Sequence, residues 1–373
     1  MKIWTLFASV LFGATILGCS TSNTSLQEGG RELSLTNYQV LVSGGSGFYA
    51  QNIVSDSDGL SVTNSPNIFP GGTTASLEFR ASSKITFYHK TDTCGGTVLF
   101  YDFEDGLEFE LPVFLDLSSC TLTVTAVTQQ DDMVFLSYYL DRSGKNQAFF
   151  VRSININTKN FTDFELNQKP TQLAVSNSRL FVLTRDESQT SAYALKIIDI
   201  EINTKIHEID LGLDVGTIFT KTNGDIIISY PNAHTTLDSN SLNPSYTRYN
   251  SGSEPHFYNA QHIIFDESGR MYYIRNTALD SETDGITATH DFNSNSTVLY
   301  YFENFLNEAQ FKVEFDIETT TTLNYDDVND LILIGYKKNT TSGGGIIRIT
   351  PAPNLTFVDN LDLEDIPAHI FQN

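Results

Sequence analysis

Tryptophan is almost missing from this chain: the single one, Trp4, lies in the first nineteen residues. A mature chain without that segment has no tryptophan platform on which sugar rings would stack. Positive charge is also scarce, with 22 basic residues against 45 acidic ones and a net charge of -23. Such a surface repels a phosphate backbone, which excludes general nucleic-acid binding. Catalytic signatures are missing too. There is no Gly-x-Ser-x-Gly elbow and no His-Glu-x-x-His, and Gly44-Gly45-Ser46-Gly47 fits no phosphate loop. After residue 19 no apolar run approaches the length of a spanning helix. What remains is ordinary for a folded protein: 40% hydrophobic and 12% aromatic residues in 373 positions, enough for one large all-β domain or two average ones.

The first residues read as an address. Met1-Lys2 is followed by an apolar run from Ile3 to Leu17, relieved only by Thr5, Ser9, Gly13 and Thr15. This has the length and flanks of a secretory leader. It ends in Ile16-Leu17-Gly18-Cys19, which resembles the lipobox of bacterial lipoproteins. The resemblance implies diacylglycerol on the Cys19 thiol, cleavage before it and acylation of the new amine, a stable membrane anchor. A plain signal peptide with a stray cysteine is the alternative. Residues 1–18 are therefore read as the leader, 19–34 as lipidated cysteine and polar tether, and 35–373 as the folded domain. Ser20 after the cysteine resembles the outer-membrane sorting pattern; the membrane face stays open.

The folded part repeats. The runs Lys84–Tyr88, Met133–Leu136, Leu180–Leu183, Ile226–Ile228, Met271–Ile274 and Leu331–Ile334 have strand composition and follow polar turns. They recur at roughly 45 to 50 residues, with one longer interval near 60. Each is preceded by a shorter run such as Gln172–Val175 or His262–Phe265, and followed by up to two more strands. An Ile-x-Ile-Asn-Thr-Lys hexad occurs at Ile154–Lys159 and again at Ile200–Lys205. Four antiparallel strands per repeat with an uninterrupted apolar second strand describe a propeller blade, because that strand is covered on both faces. Ile366–Phe371 reads as a first strand without a sequel. Tyr38–Val42, Phe48–Val54 and Leu60–Thr63 supply the other three, so the chain's two ends share a blade. The expectation is an all-β, seven-bladed β-propeller; six or eight blades also fit, because the outer strands after Tyr230 are hard to read.

The missing tryptophan excludes WD, quinoprotein-type and Asp-box blades, whose signatures need it. The whole plan of lipobox, tether, opening strands from Tyr38 to Gly59 and self-closing ring resembles propeller lipoproteins of Bacteroidota. Those work beside TonB-dependent transporters, so the resemblance implies an outer-membrane transporter or another envelope protein as partner.

Candidate site residues follow from this plan. Loops after second strands share one face of a propeller, and six basic residues begin them: Lys90, Arg142, Arg185, Arg275, Lys337 and Lys338. About two would fall there by chance. They read either as a ring of cations for an anionic small molecule or as charges paired locally with Asp92, Asp141 and Asp186. Cys94 and Cys120 fall in neighbouring loops of the same face, as a disulfide in an oxidising compartment or as two free thiols. Asp280, Glu282, Asp284, Gly285 and Asp291 match places one, three, five, six and twelve of an EF-hand calcium loop, without the flanking helices. A solvated acidic loop is the plainer reading; calcium is the only cofactor suggested. The functional expectation is a lipoprotein binding a ligand or protein on its loop face. The rivals are an envelope scaffold and a metal-dependent hydrolase or lyase.

Overall fold

The apolar runs become second strands because each is sandwiched between two blades. The computed structural model describes residues 32–45, 47–63, 69, 75–91, 95–117, 121–141, 147–187, 191–276 and 283–372. Within these, seven four-stranded antiparallel sheets form the blades of a seven-bladed β-propeller. The six- and eight-bladed alternatives are thereby excluded.

Blade 1 joins the two ends of the domain. Its first strand is Ile366–Gln372, which pairs antiparallel with the second, Thr36–Gly44, followed by Gly47–Asp56 and Gly59–Val62. The first strands of blades 2 to 7 are Leu77–Ala81, Leu122–Gln130, Lys169–Ser176, Ile218–Thr220, Ala260–Phe265 and Ile317–Asp326. Their second strands are Lys84–Lys90, Met133–Asp141, Arg179–Arg185, Ile226–Tyr230, Met271–Arg275 and Leu331–Lys338. All six contain the runs picked out above.

Burial explains why these runs show no polar alternation. The core is divided into seven hydrophobic clusters, one for each junction between adjacent blades. Successive residues of one second strand feed different clusters: Phe135 packs toward blade 4 and Leu136 toward blade 2. Ile332 faces blade 6 and Leu333 blade 1 in the same way. Period-two geometry with apolar packing on both faces requires an unbroken apolar string.

The longer interval between Met271 and Leu331 has a structural cause. Between blades 6 and 7 the chain makes a 3-10 turn at Phe302–Asn304 and a π-type turn at Gln310–Glu314. Phe302, Leu306, Phe311 and Phe315 from this insertion are buried against Tyr272, Tyr300 and Ile347.

The hexad echo marks hairpins between third and fourth strands, but displaced by two residues. Besides Asp56 in the tighter hairpin of blade 1, an Asp or Asn closes the third strand in five blades and its side chain accepts a backbone N–H two residues on. These are Asp102, Asn155, Asp199, Asp238 and Asp291. Four residues after each stands a residue with left-handed backbone: Gly106, Lys159, Asn203, Leu242 and Asn295. The side chain replaces a turn's backbone acceptor, and the positive φ returns the chain antiparallel.

Third strands also carry buried cations paired with the fourth strand. Arg152 has 1% exposure and forms two-pronged bonds to Asp163 and to Asp116, with its guanidinium 4.0 Å from the Phe161 ring centroid. Lys196 pairs with Glu208 at 2.7 Å, and Arg348 with Asp359 at 2.8 Å through Nε. Pairing of this kind is what permits a charge at a blade junction.

Candidate ligand site in the axial channel

First strands face the propeller axis, so their side chains meet across it from segments far apart in the chain. They enclose a cavity of about 1190 Å³, to which the first strands of all seven blades contribute. It reaches the turns between first and second strands, where Ser82, Ser83, Thr222 and Asp327 line it.

Three blades bring an acid and two imidazoles together there. Glu78 and Arg80 sit two apart on the blade 2 strand and therefore point to the same side. From blade 1, His369 Nε2 lies 3.2 Å from Glu78 Oε2, where it donates to that oxygen. Burial alone would raise the Glu78 carboxyl, but the His369 hydrogen bond and the positive charge around it hold it below the usual range. His262 enters from blade 6 on a bulge between Gln261 and Ile264, with a left-handed backbone at φ 50°. Its ring centroid is 5.6 Å from that of His369. Burial, with His369 and Arg80 adding to it against Glu78, pulls the His262 imidazole down to about 3, so it is neutral at neutral pH. A histidine held in left-handed backbone at a channel wall costs on the order of 1 kcal/mol, a cost that clusters at functional sites.

Arg80 performs a different task. Its Nη1 donates to Leu323 O at 3.2 Å, and its Nη2 to Asn324 Oδ1 at 3.3 Å and to Ile370 O. The guanidinium also lies 4.7 Å from the Phe371 ring centroid. It ties blade 2 to blades 7 and 1. Burial pulls it down to about 10 with Glu78 opposing, which leaves it charged. Three buried polar atoms of cavity-lining residues have no hydrogen-bond partner among the described residues: Arg80 Nε, Thr128 Oγ1 and His369 Nδ1.

Five of the six cations read from the sequence lie elsewhere. Lys90, Arg185, Arg275, Lys337 and Lys338 end their second strands, and none of them lines the axial cavity. Lys337 pairs with Glu318 at 2.5 Å and Lys338 with Asp362 at 2.9 Å. Arg185 stands over the Tyr193 ring at 5.7 Å, and Arg275 is buried at 9% exposure. Local pairing thus absorbs the two lysines of blade 7. Arg142 lies outside the described residues, as do Cys19, Cys94, Cys120, Asp280 and Glu282.

The twelve-residue acidic segment is not one loop, because its second half is the strand Ile286–Asp291 in the middle of blade 6. That strand spans roughly 17 Å, too far for Asp284 and Asp291 to share an ion. Asp291 instead caps its hairpin, accepting from Asn293 N and Ser294 Oγ at 2.8 Å each. The Asp284 carbonyl accepts from Thr319 Oγ1 at 2.7 Å and Thr320 N at 3.2 Å. No group of three His, Cys, Asp or Glu side chains among the described residues is placed to hold a metal.

His262 and His369 fall within the runs His262–Phe265 and Ile366–Phe371 that read as first strands, but nothing in the sequence assigns a role to them, to Glu78 or to Arg80. The available signal was a run of polar side chains at alternate positions in strands that face the axis. What that reading lacked was the strands' positions around the ring.

Comparison with solved structures agrees with the architecture. A 6-phosphogluconolactonase candidate from Bacteroides fragilis matches with a TM-score of 0.52 at 11% identity, over 91% of this chain and 98% of that one. A second from Bacteroides uniformis gives 0.53 at 10% identity, over 91% and 99%. A protein from Lactobacillus plantarum gives 0.52 at 9%, over 91% and 100%. At these identities the likeness establishes the fold alone: a seven-bladed propeller of a plan that bacterial proteins use. No family model matches the sequence, and no curated protein matches it.

Proposed function

We propose that this chain is a lipid-anchored propeller of the bacterial cell envelope that binds a small molecule in its axial channel. The observation that carries this reading is the cavity of about 1190 Å³ where Glu78, His262 and His369 converge from three blades. A concave site with a few convergent polar groups on rigid strands is the usual form of a small-molecule pocket. Unsatisfied buried atoms at Thr128 and His369 support it, since such groups normally have partners. The Ile16–Cys19 lipobox supports the anchor, and the resemblance to transporter-associated lipoproteins supports an outer-membrane partner.

Native mass spectrometry of protein extracted from the membranes of its own host tests this reading. The expected spectrum shows lipid mass on Cys19 and a small-molecule adduct. The adduct disappears in Ala81→Trp, which fills the cavity from an exposed position on its wall. An adduct that persists in Ala81→Trp, or none in either protein, overturns the axial site. Cys19→Ser is expected to leave the protein soluble.

A further inference from the structure

We propose that the ligand of the axial cavity is an organic cation: an ammonium group, primary or quaternary, carried on an apolar body. This inference rests on the axial-site reading above and names its ligand class.

The cavity lining mixes apolar and polar side chains around the ring. Blades 4 to 6 contribute Leu173, Val175, Ile218, Phe219, Ile263 and Phe265, with His262 among them. Blades 7, 1, 2 and 3 contribute Asn324, His369, Glu78 and Thr128, with Phe79 and Tyr325 beside them. A ligand that satisfies such a lining carries apolar surface together with a polar group.

Charge then decides the sign of the polar end. Among the described residues no lysine lines the cavity, and its one arginine keeps its single charge while its Nη groups donate to Leu323, Asn324 and Ile370. His262, neutral near pH 7, adds no positive charge. Three carboxylates do face the space: Glu78 on the blade 2 first strand, Glu104 in the hairpin of the same blade, and Asp327 in the turn after the blade 7 first strand. All three are exposed and within reach of a ligand, Glu78 at 44% of its side chain although its Oε2 is engaged by His369. Burial, together with Glu267, Asp266 and Asp326 nearby, raises the Asp327 carboxyl, the mark of carboxylates that repel one another and lack a counter-charge. A negative field within low-dielectric walls attracts a cation and rejects an anion.

The cation is organic rather than a metal ion, because no three ligating side chains among the described residues converge closely enough to coordinate one. A diffuse ammonium needs only long-range attraction and aromatic faces, which Phe79, Phe219, Phe265 and Tyr325 supply around the cavity.

Calorimetric titration with three probes of equal size and different charge tests this assignment: benzylammonium, benzyl alcohol and benzoate. Benzylammonium is expected to bind best, and to weaken about tenfold in the double variant Glu104→Gln, Asp327→Asn, which removes two charges with little change in volume. The same binding should weaken as salt rises. Ala81→Trp should abolish it. Circular dichroism of the variants distinguishes loss of binding from loss of fold. Benzyl alcohol or benzoate binding as tightly as benzylammonium, and still blocked by Ala81→Trp, leaves the axial site standing and overturns the cation. Binding of benzylammonium unaffected by the double variant overturns it as well. Heat from none of the probes overturns both readings.

Discussion

His290 has no accessible surface, and its Nδ1 lies 2.9 Å from Thr297 Oγ1 while Nε2 has no hydrogen-bond partner among the described residues. Its ring sits 6.5 Å from that of His234, whose Nδ1 is 2.5 Å from the Tyr249 hydroxyl. Phe257 and Phe292 complete this junction of blades 5 and 6. Burial pulls both imidazoles down to about 4, with Lys221 adding to the effect at each. In the unfolded chain they titrate near 6.5, so between about pH 6.5 and 4 the unfolded state binds more protons than the folded one. Stability is therefore full above pH 6.5 and falls as the pH drops through that window, by up to about 3 kcal/mol for each histidine. Urea midpoints measured across this range should show the fall, and His290→Phe should make it shallower. A profile that stays flat would mean that neither ring is kept from water.

The hairpins that close five of the blades are the element most directly testable. Lys159 adopts φ 60° in its turn, a conformation that costs a side-chain-bearing residue about 1 kcal/mol. Lys159→Gly is expected to stabilise the protein by a few tenths to about 1 kcal/mol, after the extra freedom that glycine gives the unfolded chain. Asp199→Ala should cost about 1 kcal/mol, because the N–H groups of Glu201 and Ile202 lose their acceptor. Chemical denaturation of the two variants measures both, and equal effects of the same sign would refute the turn's construction.

At this scale the strands differ in legibility. The second strands were readable because packing on both faces leaves an unbroken apolar string such as Leu331–Ile334. The blade 5 first strand is only Ile218–Thr220, too short to show any period, and the bulge at His262 breaks the alternation in blade 6. The outer strand Pro244–Arg248 is mostly exposed, so composition alone does not mark it as a strand. The acidic run ending in Asp291 looked like an ion loop because a hairpin cap and an ion ligand draw on the same residue types.

For the whole molecule, closure of the ring is the decisive contact. Tyr38 pairs with Gln372 and Leu41 with His369, joining strands more than three hundred positions apart. Tyr38 also donates its hydroxyl to Asp326 in blade 7, and Arg80 reaches across from blade 2. Without the strand Ile366–Gln372 the Thr36–Gly44 strand would expose a long apolar edge. Deletion of residues 366–373 should lower the thermal midpoint by about 10 °C or more and produce self-association on gel filtration. A monomer of unchanged midpoint would show that the ring does not depend on this closure.

By itself the sequence determined the number of strands in a blade, the identity of the second strands and the pairing of the two ends. These follow from local periodicity and from burial on two faces, which leave a one-dimensional trace. The composition of the axial site was decided by tertiary structure alone. Glu78 and His369 are 291 positions apart, and His262 belongs to a third blade. Only a closed ring turns their strands toward one axis, and only there do burial and neighbouring charge set their chemistry.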